Sequence, residues 1–403
     1  MTSSTTLLAT AAQAAPTSKY KHAIGYLRAF IVALVVAHHA VLAYHPFAPP
    51  PPASLVAQPR WWEAFPVVDA HRWSGFSLFT GFNDIFFMSL MFFLSGLFVW
   101  HGLQTKGSVK FLRGRLLRLG LPFIVAAFVL APLAYYPAYL QMAHPNGSAG
   151  FWQQWLSLGQ WPAGPAWFVW VLLAFDCIAA LLFLMTHTWG NTLGRLMSDK
   201  PARFFVSLIA ISAVAYIPMA LIFNSLNWSS FGPFTFQTSR IFHYLAYFLI
   251  GVGVGATGVD QGLLAAGGKL ARRWPLWVIA APVLFGVASV VFIVAVTSHA
   301  KSEGWAFAKH GGFVLSCAAS CFAFLAVFIR FARLKSRLFD SLAENSYAIY
   351  LVHYALVSWL QYALLPAALP AVVKGATVFA GALGLSWGFA AAIRRIPAVA
   401  RVV

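Results

Sequence analysis

The chain contains ten long apolar runs, and their length constrains the fold more than any other feature. A helix needs about 20 apolar residues to cross the roughly 30 Å hydrocarbon core of a bilayer, and runs such as 204–223 are continuously apolar. Strands of a membrane β-barrel would instead be short segments of alternating hydropathy. We therefore predict an all-α fold, a polytopic membrane helical bundle with about ten transmembrane helices. The spans are predicted at 23–44, 82–103, 118–140, 166–187, 204–223, 238–258, 276–297, 312–332, 346–367 and 371–393.

The composition excludes most other classes of protein. Hydrophobic residues make up 61% of the chain and charged residues only 9%, against about 25% charged residues in a soluble protein. So little charge can neither cover a water-soluble globule nor keep a chain disordered. The net charge of +18 would fit a nucleic-acid-binding protein, but a membrane protein gathers the same excess in its cytoplasmic loops.

The distribution of Lys and Arg decides between these two explanations. When the N-terminus is placed inside, 21 of the 27 basic residues fall in inner segments and every inner loop is basic. The positive-inside rule then predicts that both termini are cytoplasmic, and the net charge needs no nucleic acid partner. We expect a disordered cytoplasmic tail over 1–22, a transmembrane domain over 23–393 and a short basic cytoplasmic tail over 394–403.

The first predicted span holds the most informative polar pair. Ten residues separate Arg28 from His39, so a helix carries both on one face, about 16 Å apart along its axis. A guanidinium at the entrance and an imidazole at depth suit a substrate with an anionic head and a reactive far end. Alternatively, Arg28 is a positive-inside anchor and His39 packs structurally. His38 lies about 100° away on another face.

The ninth predicted span repeats this pattern. Tyr350 and His353 are i, i+3 neighbours on one helix face, and Ser346 lies four residues before Tyr350. A phenol beside an imidazole can form a hydrogen bond with it and set its tautomer. Tyrosine also serves as a structural residue at membrane interfaces, so both interpretations stay open.

Several other charged residues within or beside the spans are candidates, because charge in a bilayer is costly. Asp176 could orient a catalytic histidine, but we favour the other interpretation, in which it holds two helices together. Asn83 and Asp84 open the second predicted span, and with Arg240 and His243 they are expected near the outer face. They could bind a polar acceptor there, or an Asp84–Arg240 pair could simply join two helices.

The inner loop before the third span carries a basic cluster. Arg115 and Arg118 are i, i+3 neighbours ahead of Pro122, and such guanidinium groups can hold phosphates. The positive-inside rule alone would also produce them. We predict no metal site, because Cys317 and Cys321 are spaced as packing residues rather than as a zinc motif.

Several of these segments together resemble the acyltransferase family 3 membrane proteins. That family has an Arg, ten residues and a His in its first span, as Arg28 and His39 are arranged here. The stretch Phe92-Phe93-Leu94-Ser95-Gly96 is similar to its F-F-x-x-S-G motif, with one residue fewer. The other matching segments are Arg115 to Pro122, Trp167-Phe168, Phe248 to Gly251 and Ser346 to His353. The residues Phe82 to Asp84 and Tyr350 to His353 look closest to the glucan biosynthesis protein C branch.

The resemblance implies an activity and roles for these residues. His39 would be the catalytic histidine and Arg28 its partner on the path of the acyl donor, and we count Tyr350 and His353 as further catalytic candidates. Arg115 and Arg118, with Ser95 of the second-span motif, would lie near the donor. From their predicted place near the outer face, and not from the resemblance, we expect Asn83, Asp84, Arg240 and His243 to bind the acceptor.

The implied reaction is O-acylation in the inner membrane of a bacterium. Cytoplasmic acyl-CoA would be the co-substrate, with no permanently bound cofactor, and acetyl and succinyl are the candidate acyl groups. A hydroxyl of an envelope carbohydrate would be the acceptor, with membrane lipid as the surroundings. His39 would act as a general base or form an acyl-histidine relay, and His38 is the alternative imidazole. The rival hypothesis is a proton-coupled transporter or flippase that uses Asp176, His39 and His353 as a relay.

Overall fold

The computed structural model describes residues 18–142, 149–198, 200–297, 303–332 and 334–403. These residues form a bundle of α-helices and one small β-hairpin, made of β1 (Trp228–Phe231) and β2 (Phe234–Gln237). The helices are α1 (Ser18–Val41), α2 (Gly75–Gly96), α3 (Val99–Arg115), α4 (Leu121–Val125), α5 (Ala131–Gln141), α6 (Phe151–Ser157), α7 (Trp167–Met185), α8 (Trp189–Ser198), α9 (Pro201–Phe223), α10 (Ile241–Thr257), α11 (Lys269–Arg272), α12 (Trp274–Thr297), α13 (Glu303–Phe331), α14 (Arg337–Ala363), α15 (Ala371–Ile393) and α16 (Pro397–Ala400).

The predicted fold class, an all-α polytopic bundle, is confirmed. Within the described residues, nine helical segments are long and apolar enough to cross a membrane. The remaining predicted span, 346–367, overlaps α14, a helix of 27 residues that ends at Ala363. Polar side chains such as Asn345, His353 and Gln361 interrupt its apolar sequence, and all three are buried inside the bundle.

Several predicted spans have different boundaries in the structure. The eighth and ninth, predicted at 312–332 and 346–367, start well inside α13 (Glu303–Phe331) and α14 (Arg337–Ala363). The second was predicted at 82–103, whereas α2 already begins at Gly75 and ends at Gly96. The third was predicted at 118–140, whereas residues 99–141 form one helical segment of 43 residues. It continues through the basic stretch 106–118 by way of a kink at Gly107 (φ 72°) and two π-helical turns, Leu116–Gly120 and Ala126–Leu130. Hydropathy ends a predicted span at the first charges, but the backbone hydrogen bonds of a helix need not end there.

The structure describes only part of the two predicted tails. Helix α1 begins at Ser18, so it includes the last residues of the predicted tail 1–22, and residues 1–17 lie outside the described residues. The predicted basic tail 394–403 contains the short helix α16. The cytoplasmic placement of both ends stays a prediction.

The helices around the centre of the bundle pack closely, whereas the peripheral ones expose apolar side chains. Helix α1 packs against α14 and α15, and α2 packs against α10. In the second contact, Gly96 faces the carbonyl oxygen of Phe248, and Gly255 faces that of Leu97. A side chain at either glycine would collide with backbone, so the Gly251 to Gly255 stripe packs within the chain. Helix α12 has only 11% of its apolar window buried, as expected of a helix that faces lipid.

Two ends of the bundle carry different groups. The loop face consists of residues 45–74 and the β-hairpin, and the basic face carries Arg28, Arg115 and Arg118. An ion pair between Asp69 and Lys374 (2.6 Å) fixes the loop to α15, and both side chains are at most 2% exposed.

Candidate active site

The site centres on two histidines that belong to helices far apart in sequence. His39 lies near the end of α1 and His353 in the middle of α14, and Nδ1 of His39 is 3.2 Å from Nε2 of His353. The amide of Gln361 holds the helices together, because it donates to the carbonyl oxygens of His39 (2.9 Å) and Ala40 (3.1 Å). These carbonyls belong to the last turn of α1, where intrahelical donors run out.

The hydrogen bonds around the two rings determine which nitrogen carries each proton. Nδ1 of His353 lies 2.6 Å from the carbonyl oxygen of Tyr350, which can only accept, so Nδ1 is the donor. In the neutral ring Nε2 of His353 is then an acceptor. Nδ1 of His39 faces this acceptor and also the carbonyl oxygen of Val35 at 2.9 Å. Nδ1 of His39 therefore carries the proton, and its Nε2 keeps a free lone pair.

His39 lines a cavity of about 380 Å³ at the loop face. Its walls come from α1, α2, α14, the loop 45–74 and the β-hairpin. They combine aromatic rings with a few charged and polar side chains, the usual composition of a ligand site. The aromatic, charged and polar residues that line the cavity include His38, His39, Arg60, Trp61, Glu63, Asp84, Tyr135, Trp167, Trp228, Gln237, Tyr244, Tyr350 and Tyr354.

Tyr350 contributes differently from the expected phenol–imidazole bond. Its hydroxyl donates to the carbonyl oxygen of Pro165 rather than to His353. The tautomer of His353 is instead set by the backbone carbonyl of Tyr350. The phenol that faces His39 is that of Tyr354, whose ring stands edge-on at 5.0 Å between centroids.

The second histidine of α1 also reaches the cavity. His38 packs against Phe87, with ring centroids 5.3 Å apart, and lies edge-on to His39 at 5.4 Å. Its Nδ1 is buried and has no hydrogen-bond partner among the described residues. Because nothing fixes its proton, His38 lacks the defined lone pair that the structure gives to His39.

The expected acceptor residues separate into two groups. Asp84 lines the cavity, and Arg240 behind it binds both its carboxylate (2.6 Å) and its carbonyl oxygen (2.9 Å). The pair expected to join two helices is therefore formed, between α2 and the turn before α10, and Asp84 also lines the cavity, while acceptor binding stays a prediction. His243 is fully buried against Ser89 (3.2 Å) and does not line the cavity. Asn83 is likewise buried.

The expected donor residues lie at the basic face, away from this cavity. Arg28 is exposed and forms no ion pair with any described residue. Arg115 is close enough to repel it and is paired with Asp176 at 3.1 Å. The helix lock predicted for Asp176 is thus formed, between α3 and α7. The relay of the rival transporter hypothesis would need this carboxylate beside the histidines.

Arg28 is not among the residues that line the cavity around His39. Val32 lies between them on the same face of α1 and is only 2% exposed. The cavity ends at Val35 and His39. Ser95, the other expected donor residue, donates to the carbonyl oxygen of Met91 in its own helix and does not line the cavity. Tyr347 donates to the carbonyl oxygen of Arg118 (2.6 Å), which ties α14 to the basic face.

Sequence reasoning missed Glu63, a charged residue of the cavity wall. It follows Trp62, which is buried against Tyr135 and donates to the carbonyl oxygen of Leu55 (3.0 Å). This anchor turns the side chains of Trp61 and Glu63 into the cavity. Burial raises the pKa of Glu63, and Arg60 at 2.9 Å opposes the shift. The adjacent Trp61-Trp62 pair is the one sequence signal that could have pointed to this segment.

Fold and site together define a polytopic membrane protein with a hydrogen-bonded histidine pair in a cavity at one face of its bundle. A family model described as an acyltransferase domain, that of acyltransferase family 3, matches residues 21–391. The chain therefore belongs to this family and is an integral membrane acyltransferase. No curated protein and no solved structure matches it.

Proposed function

We propose that this acyltransferase moves an acetyl or succinyl group from cytoplasmic acyl-CoA to a hydroxyl of an envelope carbohydrate. The observation that carries the proposal is the free Nε2 lone pair of His39 in a cavity at the loop face. The similarity of Phe82 to Asp84 and Tyr350 to His353 to the glucan biosynthesis protein C branch favours a glucan acceptor. In a bacterial inner membrane the basic face, and with it both termini, would be cytoplasmic.

The proposed chemistry needs one base and one electrophile. Nε2 of His39 accepts the proton of the acceptor hydroxyl while the hydroxyl oxygen attacks the thioester carbonyl carbon. The new C–O bond forms, the C–S bond breaks, and the CoA thiolate leaves and takes up the proton. His353 keeps the base aligned, because its Nε2 accepts from Nδ1 of His39.

The donor would bind from the basic face. Arg28 is exposed and without a carboxylate partner among the described residues, so phosphate groups of CoA can pair with it. The thioester would then have to pass Val32, a buried residue between Arg28 and His39 on the same face of α1. We infer that donor binding displaces this side chain.

Replacing His39 with Ala tests the function, and His38→Ala is the matched control. The two residues are adjacent on α1 and both line the cavity. We expect H39A to lower transfer by about 10²- to 10⁴-fold, the usual contribution of a general base, with membrane insertion unchanged. H38A should stay within a few-fold of wild type. Mass spectrometry of envelope glycans and thioester cleavage by purified protein without an ion gradient give the readout. Full activity of H39A would overturn the assignment.

A further inference from the structure

Two large aromatic side chains that line the cavity, Trp61 and Trp228, have no part in the proposed reaction. Trp61 is 56% exposed and Trp228 is 47% exposed, although both line the cavity. Exposed tryptophans are costly in water, so two of them at one cavity point to a ligand that covers them.

Both tryptophans are held on rigid supports. Trp61 precedes the anchored Trp62, as described above. Trp228 lies in β1 and stands edge-on to Trp167, with ring centroids 5.5 Å apart. The hairpin is fixed to α7 because Trp170 donates to the carbonyl oxygen of Thr235 (2.9 Å). Gln160 fixes it further, since its amide donates to the carbonyl oxygen of Ser230 (3.0 Å).

The charges of the cavity wall are already compensated. Among the described residues that line the cavity, Arg60 is the only Lys or Arg, and its Nε is 2.9 Å from Glu63. Asp84 is balanced by Arg240 from behind. An anionic ligand would meet two carboxylates and find no free cation, so it would lose hydration without gaining an ion pair.

We propose that Trp61 and Trp228 form a subsite for a neutral sugar, whose ring faces pack on the indoles. Glu63 and Asp84 accept hydrogen bonds from the sugar hydroxyls, and Arg60 donates to them. This inference rests on the proposed function and narrows its acceptor to uncharged glycans, with uronic or phosphorylated sugars excluded.

Binding can be measured apart from catalysis. Calorimetric titration of purified protein in nanodiscs measures the affinity for each probe. The probes are trisaccharides of glucose, of N-acetylglucosamine and of galacturonic acid. At least one neutral trisaccharide should bind, and the galacturonic acid trisaccharide should bind at least tenfold more weakly. Trp61→Ala and Trp228→Ala should each weaken binding of the neutral probe about tenfold, the loss expected for a tryptophan contact of about 1.4 kcal/mol.

Trp152→Ala is the matched control, because Trp152 is 60% exposed but lies on α6 outside the cavity. It should bind as wild type does. Equal or stronger binding of the galacturonic acid trisaccharide, no binding of either neutral probe, or an equal loss in W152A would each overturn the proposal. H39A separates the two claims: it should bind the sugar normally without transferring an acyl group. Normal transfer by H39A would refute the catalytic role alone.

Discussion

Nε2 of His353 lies 3.2 Å from Nδ1 of His39, and this contact joins helices α1 and α14 at the centre of the site. Because the carbonyl oxygen of Tyr350 fixes the proton of His353, the pair has a defined direction. The carbonyl oxygen of Tyr350 sets the tautomer of His353, and His353 in turn sets that of His39. Nε2 of His39 therefore keeps a free lone pair. Two neutral imidazoles thus produce one oriented base without a carboxylate partner.

Removing His353 should weaken this base without abolishing it. His39 would keep its second acceptor, the carbonyl oxygen of Val35, and so would still hold its proton on Nδ1. We expect His353→Ala to lower kcat about 10- to 100-fold, as losses of orienting partners commonly do, with little change in donor KM. His353→Gln should recover part of the activity because its amide oxygen can accept from Nδ1. A loss as large as that of H39A would show that His353 reacts directly.

The sequence predicted the one-helix relationships of this site and missed those between helices. Arg28 and His39 share a face of α1 because helix geometry alone places them there. The contact of His39 with His353 depends on how α1 packs on α14, and no periodicity encodes that. Tyr350 shows the same limit, since its phenol reaches Pro165 in the loop before α7.

The loop contributions were harder still to predict. Glu63 reaches the cavity because Trp62 is anchored, and Trp228 because Trp170 fixes the hairpin. Both depend on a few tertiary hydrogen bonds in segments without a repeating pattern. The hydropathy of the chain likewise could not show that the basic stretch becomes helical again directly after the kink at Gly107.

The ion pair of Asp69 and Lys374 should be needed for stability. Both side chains are at most 2% exposed, so removing Lys374 leaves the buried carboxylate of Asp69 without its ammonium partner and with only His71 nearby, whose Nδ1 is 3.1 Å away. We expect Lys374→Met to cost about 3–5 kcal/mol, measured by thermal or denaturant unfolding in detergent. Lys110→Met, at an exposed position of α3, is the control and should have little effect. The double variant D69N/K374M should recover much of the loss; an unstable double variant would contradict this account.

Helices α2 and α10 should not tolerate a side chain at their closest approach. A Cβ at Gly255 would overlap the carbonyl oxygen of Leu97, and that backbone cannot move alone. We expect Gly255→Ala to lower stability by about 1–3 kcal/mol, seen as a lower unfolding temperature. Gly286→Ala is the matched control, because no atom lies within 4 Å of its Cβ position in α12. Equal stability of the two variants would show that the helices are free to separate.

Acceptor affinity should fall in acid because of Glu63. Burial raises the pKa of this carboxyl, so it takes up a proton at a higher pH than an ordinary glutamate does. As the pH falls through that pKa, Glu63 loses its charge and Arg60 loses its partner, and binding of the neutral trisaccharide should weaken. Glu63→Gln should bind less tightly at neutral pH and lack this acid limb. If E63Q showed the same loss of binding in acid as wild type, that loss would come from another titrating group.

The raised pKa of Glu63 also affects the stability of the fold, but with the opposite pH dependence: binding weakens as the pH falls, whereas stability decreases as the pH rises. The folded protein holds the proton of Glu63 more tightly than the unfolded chain does, so this group stabilises the fold below its unfolded pKa. That contribution is lost as the pH rises through the folded pKa. Unfolding midpoints of wild type and E63Q should therefore converge at low pH and diverge at neutral pH, with E63Q the more stable.

Arg28 should act on the donor and not on the acceptor. It is exposed at the basic face, has no ion-pair partner among the described residues and lies within repulsive range of Arg115. An anion between these guanidinium groups would relieve that repulsion and gain charged hydrogen bonds of about 1.5–3 kcal/mol. We expect Arg28→Gln to raise the KM for acyl-CoA about 10- to 100-fold while affinity for the neutral trisaccharide is unchanged.

The control for Arg28 is a charge of the same sign that faces solvent. Lys110→Gln removes one positive charge from the exposed surface of α3 and should leave the KM for acyl-CoA within about twofold of wild type. Raising the salt concentration should increase the KM of the wild type more than that of R28Q, because R28Q has already lost the pairing that salt screens. An unchanged KM in R28Q, or an equal rise in K110Q, would mean that the donor binds elsewhere and that Arg28 only orients the bundle in the membrane.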